Sequence, residues 1–203
     1  MTQATDTGNG LGGRLPLLPP GAMGERQRAV YDELTRLVVP EAAEGGFVAR
    51  LDDGRFIGPF NAMLRAPELT AAFGQWVAGI FAAGIDPQAR QAVILTVGAA
   101  WQAEYELYAH QAAAAEAGLP AEAIAAIVAD AAPAGLSSEA DLARRLARAA
   151  VRDRSIPDAL YRECTEVFGV GGAIALLHLI GQYQLVSSLL VFFAVPSPAG
   201  GAE

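Results

Sequence analysis

Apolar residues recur at helical spacing along most of the chain. Residues 25–39 carry Val30, Leu34, Leu37 and Val38, three or four positions apart or adjacent, as one face of a helix requires. No segment shows sustained alternation of apolar and polar residues, which is the pattern of a half-buried strand. The sequence therefore predicts an all-α fold, a bundle of about eight helices.

Residues suited to a first helical turn begin most of these segments. The predicted starts are Pro59, Pro67, Asp86-Pro87, Pro120, Ser138 and Pro157. Ser138-Glu139-Ala140-Asp141 resembles a capping box with Asp in place of the usual Glu or Gln. The helical pattern that begins at Asp86 persists to Ala117, where Gly118 stops it. The predicted ends of the others lie near Leu64, Ala83, Asp130 and Arg152, and a final helix covers about 170–193.

Gly and Pro are concentrated before the first helix. Residues 1–22 are predicted to be a flexible N-terminal arm, closed by Pro19-Pro20-Gly21. Residues 23–197 are predicted to form a single domain. Residues 44–58 are rich in glycine and contain a turn signal over residues 51–55.

Residues 167–195 carry no formal charge, and a stretch of this length could cross a bilayer. It also contains Gly169, His178 and Gln182, and no basic cluster closely flanks either end. We therefore interpret residues 167–195 as a buried core helix, which is also the candidate for a subunit interface. His178 is expected to lie in the core with its ring hydrogen-bonded.

The chain is acidic, with a net charge of −8, and all fourteen of its basic residues are Arg. This balance argues against nucleic acid or an anionic membrane as a partner. Its clustered arginines are interspersed with Asp and indicate a solvated helix face: Arg144, Arg145, Arg148, Arg152 and Arg154. With 53% hydrophobic and only 18% charged residues, some surface is expected to be hidden in an oligomer.

Cys164 is the only cysteine, so no disulfide can form within the chain. A cysteine-based metal site is also disfavoured, and no metal or other cofactor is predicted. A single cysteine fits a reducing cytoplasm, which is the expected location. Cys164 itself is expected to be a buried apolar residue.

Glu106 and His110 stand four residues apart and share one face of a predicted helix. A carboxylate can orient an imidazole and raise its basicity, which makes the two a candidate proton-transfer pair. The same spacing also occurs in exposed pairs worth only a few tenths of a kcal/mol. Spacing alone leaves both interpretations open.

Four segments in order resemble the carboxymuconolactone decarboxylase/AhpD superfamily. Residues 58–69 are similar to its entry motif, and Arg90-Gln91-Ala92-Val93-Ile94-Leu95 is similar to its "R-E-x-A-I-L" helix. Residues 101–119 are similar to its "S-E-Y-E-W-x-x-H … A-G-L" block, and residues 180–186 to its "I-G-Y-Y-x-L-V". The resemblance spans about residues 58–196. It implies an AhpD-like helical bundle that forms a dimer, trimer or hexamer.

The chain departs from the family where redox chemistry would reside. Family peroxidases carry C-x-x-C ahead of the histidine, whereas Ala103 and Glu106 occupy those positions here. Thiol peroxidase chemistry is therefore unlikely on residue type. The family Glu of the "R-E" pair is Gln91, which can hydrogen-bond but cannot shuttle a proton. Gln91 and His110 are about 28 Å apart along a straight helix, so they share a site only if the helix breaks near Ala100–Ala103 or if a second subunit supplies one of them.

The resemblance implies a cofactor-independent lyase or decarboxylase acting on a small carboxylated or lactone-type metabolite. His110 is the predicted general acid/base, oriented by Glu106 or Glu104. The predicted substrate-binding residues are Gln91, Asn61, Arg65, Tyr105, Tyr108 and Trp101. Asn61 and Arg65 follow Pro59 on a short helix, where a carboxylate could bind. The alternative is a non-catalytic oligomeric binding or scaffold protein that kept the fold and lost the chemistry.

Overall fold

A computed structural model describes residues 10–198. Within that range the chain forms eight α-helices and no β-strand, which confirms the predicted all-α class. The helices are α1 Glu25–Glu44, α2 Pro59–Met63, α3 Pro67–Ala82, α4 Pro87–Trp101, α5 Glu104–Glu116, α6 Ala121–Val128, α7 Ser138–Arg148 and α8 Asp158–Phe192. A π-helical turn, Ala149–Asp153, extends α7. An isolated antiparallel bridge between Arg50 and Phe56 closes the predicted turn over residues 51–55.

α4 is the central helix of the bundle. Its residues 91–99 are all buried, because it packs against α5, α6, α7 and α8. A helix that is apolar on every side is stable only when other elements surround it. Asp86 caps its first turn, with Oδ1 accepting a hydrogen bond from the Ala89 amide at 3.0 Å. The predicted start of α4 is therefore confirmed.

Two other predicted boundaries are adjusted by the structure. The N-cap of α7 is Ser137, whose hydroxyl accepts from the Ala140 amide at 3.2 Å, so the cap lies one residue before the predicted Ser138. Gly169 adopts φ 66° and ψ 170° inside α8 and kinks it. The kink falls where the sequence separates the helix begun by Pro157 from a final helix over 170–193.

The N-terminal segment is packed against the helices over residues 10–22. Leu11, Leu17 and Leu18 are buried, and the Arg14 amide donates to the Phe193 carbonyl at 2.7 Å. This differs from the predicted flexible arm, because three leucines remove enough apolar surface from water to hold the segment in place. Residues 1–9 of that prediction lie outside the described residues.

α8 leaves much of its apolar surface uncovered. Val170 is 64% exposed and Ile174 is 50% exposed, and Leu177 and Leu185 are exposed on the same side. By length and composition α8 could cross a membrane, and 28% of its most apolar window is buried against the rest of the chain. Within the single chain this face is not buried as expected of a core helix, and its burial at a subunit interface stays a prediction. Cys164 on the inner face is buried as predicted.

Candidate functional site

A break between α4 and α5 brings Gln91 beside His110. Gln102 ends α4 in the left-handed region at φ 54°, and the chain turns back so that α5 packs along α4. Gly98 permits this approach, because a Cβ there would lie 3.0 Å from Glu106 Cγ. The Gln91 Oε1 atom and His110 Nδ1 are 2.9 Å apart. The predicted helix break is confirmed, and one chain supplies both residues.

The Gln91 contact determines which nitrogen of His110 carries a proton. An amide oxygen only accepts hydrogen bonds, so Nδ1 must be the donor. In the neutral ring Nε2 is then left with a lone pair. This lone pair faces Glu106, whose Oε1 lies 3.9 Å from Nε2. The separation exceeds a hydrogen bond by about 1 Å.

Glu106 is a buried carboxyl without a partner. Its exposure is 2%, and Oε1 has no hydrogen-bond partner within residues 10–198. Burial raises the pKa of Glu106 well above its usual value of 4.5, because a low-dielectric surrounding disfavours the charged form. The same surroundings, with Arg90 adding a positive charge nearby, lower the pKa of His110 to about 3. The two shifts favour a protonated Glu106 carboxyl facing a neutral imidazole.

Three further residues surround this pair, and the sequence did not identify them as part of the site. The edge of the Tyr183 ring meets His110, with 5.1 Å between ring centroids. Burial raises the pKa of Tyr183, and the charges of Glu106 and Glu41 add to that effect. Burial also raises the pKa of Glu41, against the opposing charge of Arg90. Arg90 and Tyr183 lie inside the motif segments, but nothing in their spacing showed which way they point.

Two of the predicted residues lie apart from this cluster. Glu104 is exposed in the first turn of α5, so its environment differs from that of the buried Glu106. Trp101 follows Gln91 by ten residues on α4, which is about 15 Å along the helix axis. The indole of Trp101 is 38% exposed. The structure therefore places Gln91, Glu106 and His110 together and leaves Glu104 and Trp101 outside.

Tyr105 and Tyr108 hold the loop before α2. The Tyr105 hydroxyl donates to the Val48 carbonyl at 2.7 Å, and the Tyr108 hydroxyl accepts from the Val48 amide at 3.1 Å. The Tyr105 ring also packs over Gly58, where a Cβ would lie 2.3 Å from the ring. Both hydroxyls are therefore used by the main chain. A role for these tyrosines in binding substrate stays a prediction.

Asn61 and Arg65 hold the N-terminal segment. The buried Asn61 carboxamide accepts from the Leu18 amide at 3.0 Å and donates to the carbonyls of Leu15 and Pro16. This uses both of its N–H groups, so the predicted anion site finds no free donor on Asn61. Arg65 is exposed and donates from one nitrogen to the Pro16 carbonyl at 2.6 Å. Because its other guanidinium nitrogens can still donate, anion binding at Arg65 stays a prediction.

Two cavities lie elsewhere on the surface. One, of about 410 Å³, lies between the end of α4, the π-helical turn and α8. The other, of about 220 Å³, is apolar and lies over Cys164 beside the kink of α8. His110 and Glu106 line neither of them. Among residues 10–198 no group of three or more His, Cys, Asp or Glu side chains is placed to hold a metal ion.

The model of the carboxymuconolactone decarboxylase family matches residues 67–149. The match runs from α3 to the start of the π-helical turn and includes Gln91, Glu106 and His110. No curated protein and no solved structure matches the chain. The match supports the resemblance to the carboxymuconolactone decarboxylase/AhpD superfamily that the sequence motifs indicated.

Proposed function

We propose that this chain is a cofactor-independent enzyme of the carboxymuconolactone decarboxylase family, a lyase that transfers a proton on a small carboxylated or lactone-type metabolite. The unpaired Glu106 carboxyl, buried beside His110, is the observation that carries the proposal. A buried polar group without a partner costs about 1–3 kcal/mol. Strongly shifted pairs of this kind are concentrated at active sites.

Opposite pKa shifts assign the two groups their roles. Glu106 is the acid, because burial raises its pKa and favours its protonated form. His110 is the base, with Nδ1–H directed to Gln91 and the Nε2 lone pair directed to Glu106. Hydrogen bonds between catalytic groups are often long before substrate binds. Closing the 3.9 Å gap by about 1 Å would let the proton pass from one group to the other.

Decarboxylation balances with these two groups and a proton from water. The bond between the substrate carbon and its carboxylate breaks, CO₂ leaves, and the electron pair stays on the carbon. That carbon takes the proton of the Glu106 carboxyl. A proton from water returns to Glu106 through the Nε2 of His110. The step requires no oxidant and no reductant, and its efficiency depends on Glu106 being protonated.

Turnover of carboxymuconolactone, measured as release of CO₂, tests this proposal. Positioned acid–base groups contribute about 10²–10⁴-fold, so His110→Ala and Glu106→Gln should lose at least about 10²-fold in kcat. Glu116→Gln is a matched control, because Glu116 is exposed at the other end of α5. If folded His110→Ala keeps full turnover, the proposed mechanism is wrong.

A non-catalytic binding or scaffold protein is the second proposal. It is favoured by the position of both cavities away from His110. It is also favoured by the use of Asn61 and Tyr105 to hold main chain. If the purified chain shows no turnover with carboxymuconolactone or related lactones, the binding function gains support.

Thiol peroxidase activity has no support in the structure. Cys164 is the only cysteine, it is buried, and burial raises the pKa of its thiol. A reactive thiol requires the opposite shift, since the thiolate is the nucleophile. The acid–base pair therefore remains the chemistry that the site offers.

We also propose that the exposed apolar side of α8 binds a second copy of the chain. Residues 167–195 carry no formal charge although the whole chain carries −8. Two copies can therefore meet on this side without bringing their like charges together. The adjoining α3 also has an exposed apolar side chain, Leu69. Light scattering tests the proposal, and a clean monomer of 21.0 kDa would contradict it.

A further inference from the structure

The larger cavity is built apart from the acid–base pair. Its lining residues come from three elements: Ala100 and Trp101 from α4, Ala150 and Val151 from the π-helical turn, Arg154 just after that turn, and Gln184 from α8. Its volume of about 410 Å³ falls within the range of small-molecule sites. The lining includes the aromatic side chain of Trp101 and the polar side chains of Arg154 and Gln184. This combination suits a ligand with a flat ring and a polar group.

Arg154 differs from the other arginines of its cluster. The remaining four are bound to carboxylates: Arg144 to Asp141, Arg145 to Asp141 and Glu163, Arg148 to Asp130 and Asp153, and Arg152 to Asp130. The Arg154 amide donates to the Ala149 carbonyl, but within the described residues the Arg154 side chain makes no hydrogen bond and no ion pair. Arg152 and Arg154 are exposed, as expected of a solvated face, whereas the Arg144 side chain is only 12% exposed. Arg154 also lines the cavity.

The backbone at both walls of the cavity is held in an unfavourable conformation. Arg154 adopts φ 51° and Gln102, directly after Trp101, adopts φ 54°. Left-handed conformations cost about 1–2 kcal/mol for such residues. π-helical turns and strained positions are concentrated at functional sites. Arg152 anchors the turn to α4 by donating to the Ala99 carbonyl at 3.2 Å.

We propose that this cavity is a second ligand site, which binds a planar aromatic carboxylate. The Arg154 guanidinium matches a carboxylate in two parallel hydrogen bonds, and the exposed Trp101 indole offers a flat surface to the ring. The Gln184 side chain, which makes no hydrogen bond within residues 10–198, supplies a further donor. Binding here does not require the acid–base pair, so the inference is independent of the proposed reaction.

Calorimetric titration of the full chain with 2-naphthoate tests the site, with 2-naphthamide as its neutral analogue. The carboxylate should bind at least about tenfold more tightly than the amide, since a charge-assisted pair is worth more than 1.4 kcal/mol. Arg154→Gln should remove this difference, and Arg154→Lys should keep only part of it. Trp101→Leu should weaken both ligands alike, because stacking does not depend on the carboxylate charge.

Two controls separate this site from the rest of the molecule. Arg162→Gln removes an exposed arginine of α8 that only donates to the Asp158 carbonyl, and it should bind 2-naphthoate as the unmodified chain does. His110→Ala should also bind it unchanged. The proposal is wrong if Arg154→Gln keeps the preference for the carboxylate, or if the unmodified chain binds neither ligand at about 10 mM. Thermal unfolding of each variant confirms that it is folded.

Discussion

Glu106 and His110 shift their pKa values in opposite directions because both side chains are removed from water. The folded chain binds the Glu106 proton more tightly than the unfolded chain does. The contribution of Glu106 to the free energy of unfolding is therefore complete below pH 4.5 and declines as pH rises through the raised pKa. In the folded chain the His110 ring stays neutral down to about pH 3, because its pKa is lowered to about 3. That contribution is complete above pH 6.5 and declines as pH falls towards 3.

Glu106→Gln should stabilise the chain at pH 8 and have a smaller effect at pH 5. The amide cannot ionise, so unfolding no longer gains from ionising the carboxyl. One pKa unit corresponds to about 1.4 kcal/mol, and the gain at pH 8 should reach at least about 1 kcal/mol. Urea unfolding at the two pH values measures it. An equal change in the free energy of unfolding at the two pH values would show that Glu106 is not desolvated. The control Glu116→Gln, at an exposed position, should not change the free energy of unfolding at either pH.

Gln91→Glu should raise the pKa of His110. A carboxylate 2.9 Å from Nδ1, in place of the amide oxygen, favours the protonated ring. NMR titration resolves this cleanly, because His110 and His178 are the only histidines. His178 lies on α8, hydrogen-bonded to Trp76 at 2.7 Å, and serves as the internal control. An unchanged His110 titration would mean that the two side chains do not meet in solution.

The protonation of Glu106 also predicts the pH dependence of the proposed reaction. The acid form is required, so kcat should fall as pH rises through the raised pKa of Glu106. A pH–rate profile measures this. Glu106→Asp should retain part of the rate with the same direction of pH dependence. A profile that rises with pH would assign the acid to another group.

At the scale of elements, Asn61 links the N-terminal segment to α2. Asn61→Ala removes one buried and two part-buried hydrogen bonds to residues 15–18 and should destabilise the fold by about 2–4 kcal/mol. Chemical unfolding measures the loss. Arg65→Ala is the matched control, since Arg65 contacts the same segment from an exposed position and should cost at most about 1 kcal/mol. A loss at Asn61 no larger than at Arg65 would mean that the segment is only weakly held.

Helix boundaries could be predicted from local chemistry. Prolines and the Asp86 cap act within one turn, so the starts of α2, α3 and α4 follow from the residues themselves. The docking of residues 10–22 could not be predicted in this way. It depends on three leucines and on the carboxamide of Asn61, whose partners are more than forty residues away. A Gly- and Pro-rich segment gives no local signal for such contacts.

The candidate site was only partly predictable for the same reason. The i,i+4 spacing placed Glu106 and His110 on one face of α5, and the family pattern placed a helix break that brings Gln91 to them. Spacing does not show that this face is turned inward. The burial of Glu106, and with it the unusual acid form, arises only when α4 and α8 close around α5.

At the scale of the whole molecule, the outer side of α8 combines exposed apolar residues with the absence of charge. His178, expected in the core, is exposed on this side, where its Nδ1 accepts from the Trp76 indole. The pair joins α3 to α8 and keeps the two apolar helices side by side. A monomer would leave this joined surface in water, and large uncovered apolar patches mark sites of association.

Ile174→Glu should weaken self-association at least about tenfold, because it places a desolvated charge on a surface that has none. Multi-angle light scattering over a range of concentrations measures the effect. Ala115→Glu adds the same charge at an exposed position of α5 and should leave the mass of the assembly unchanged. If Ile174→Glu keeps that mass, the interface lies elsewhere. If the unmodified chain is a monomer that floats with lipid vesicles, a bilayer covers α8 and the proposal of a second copy is wrong.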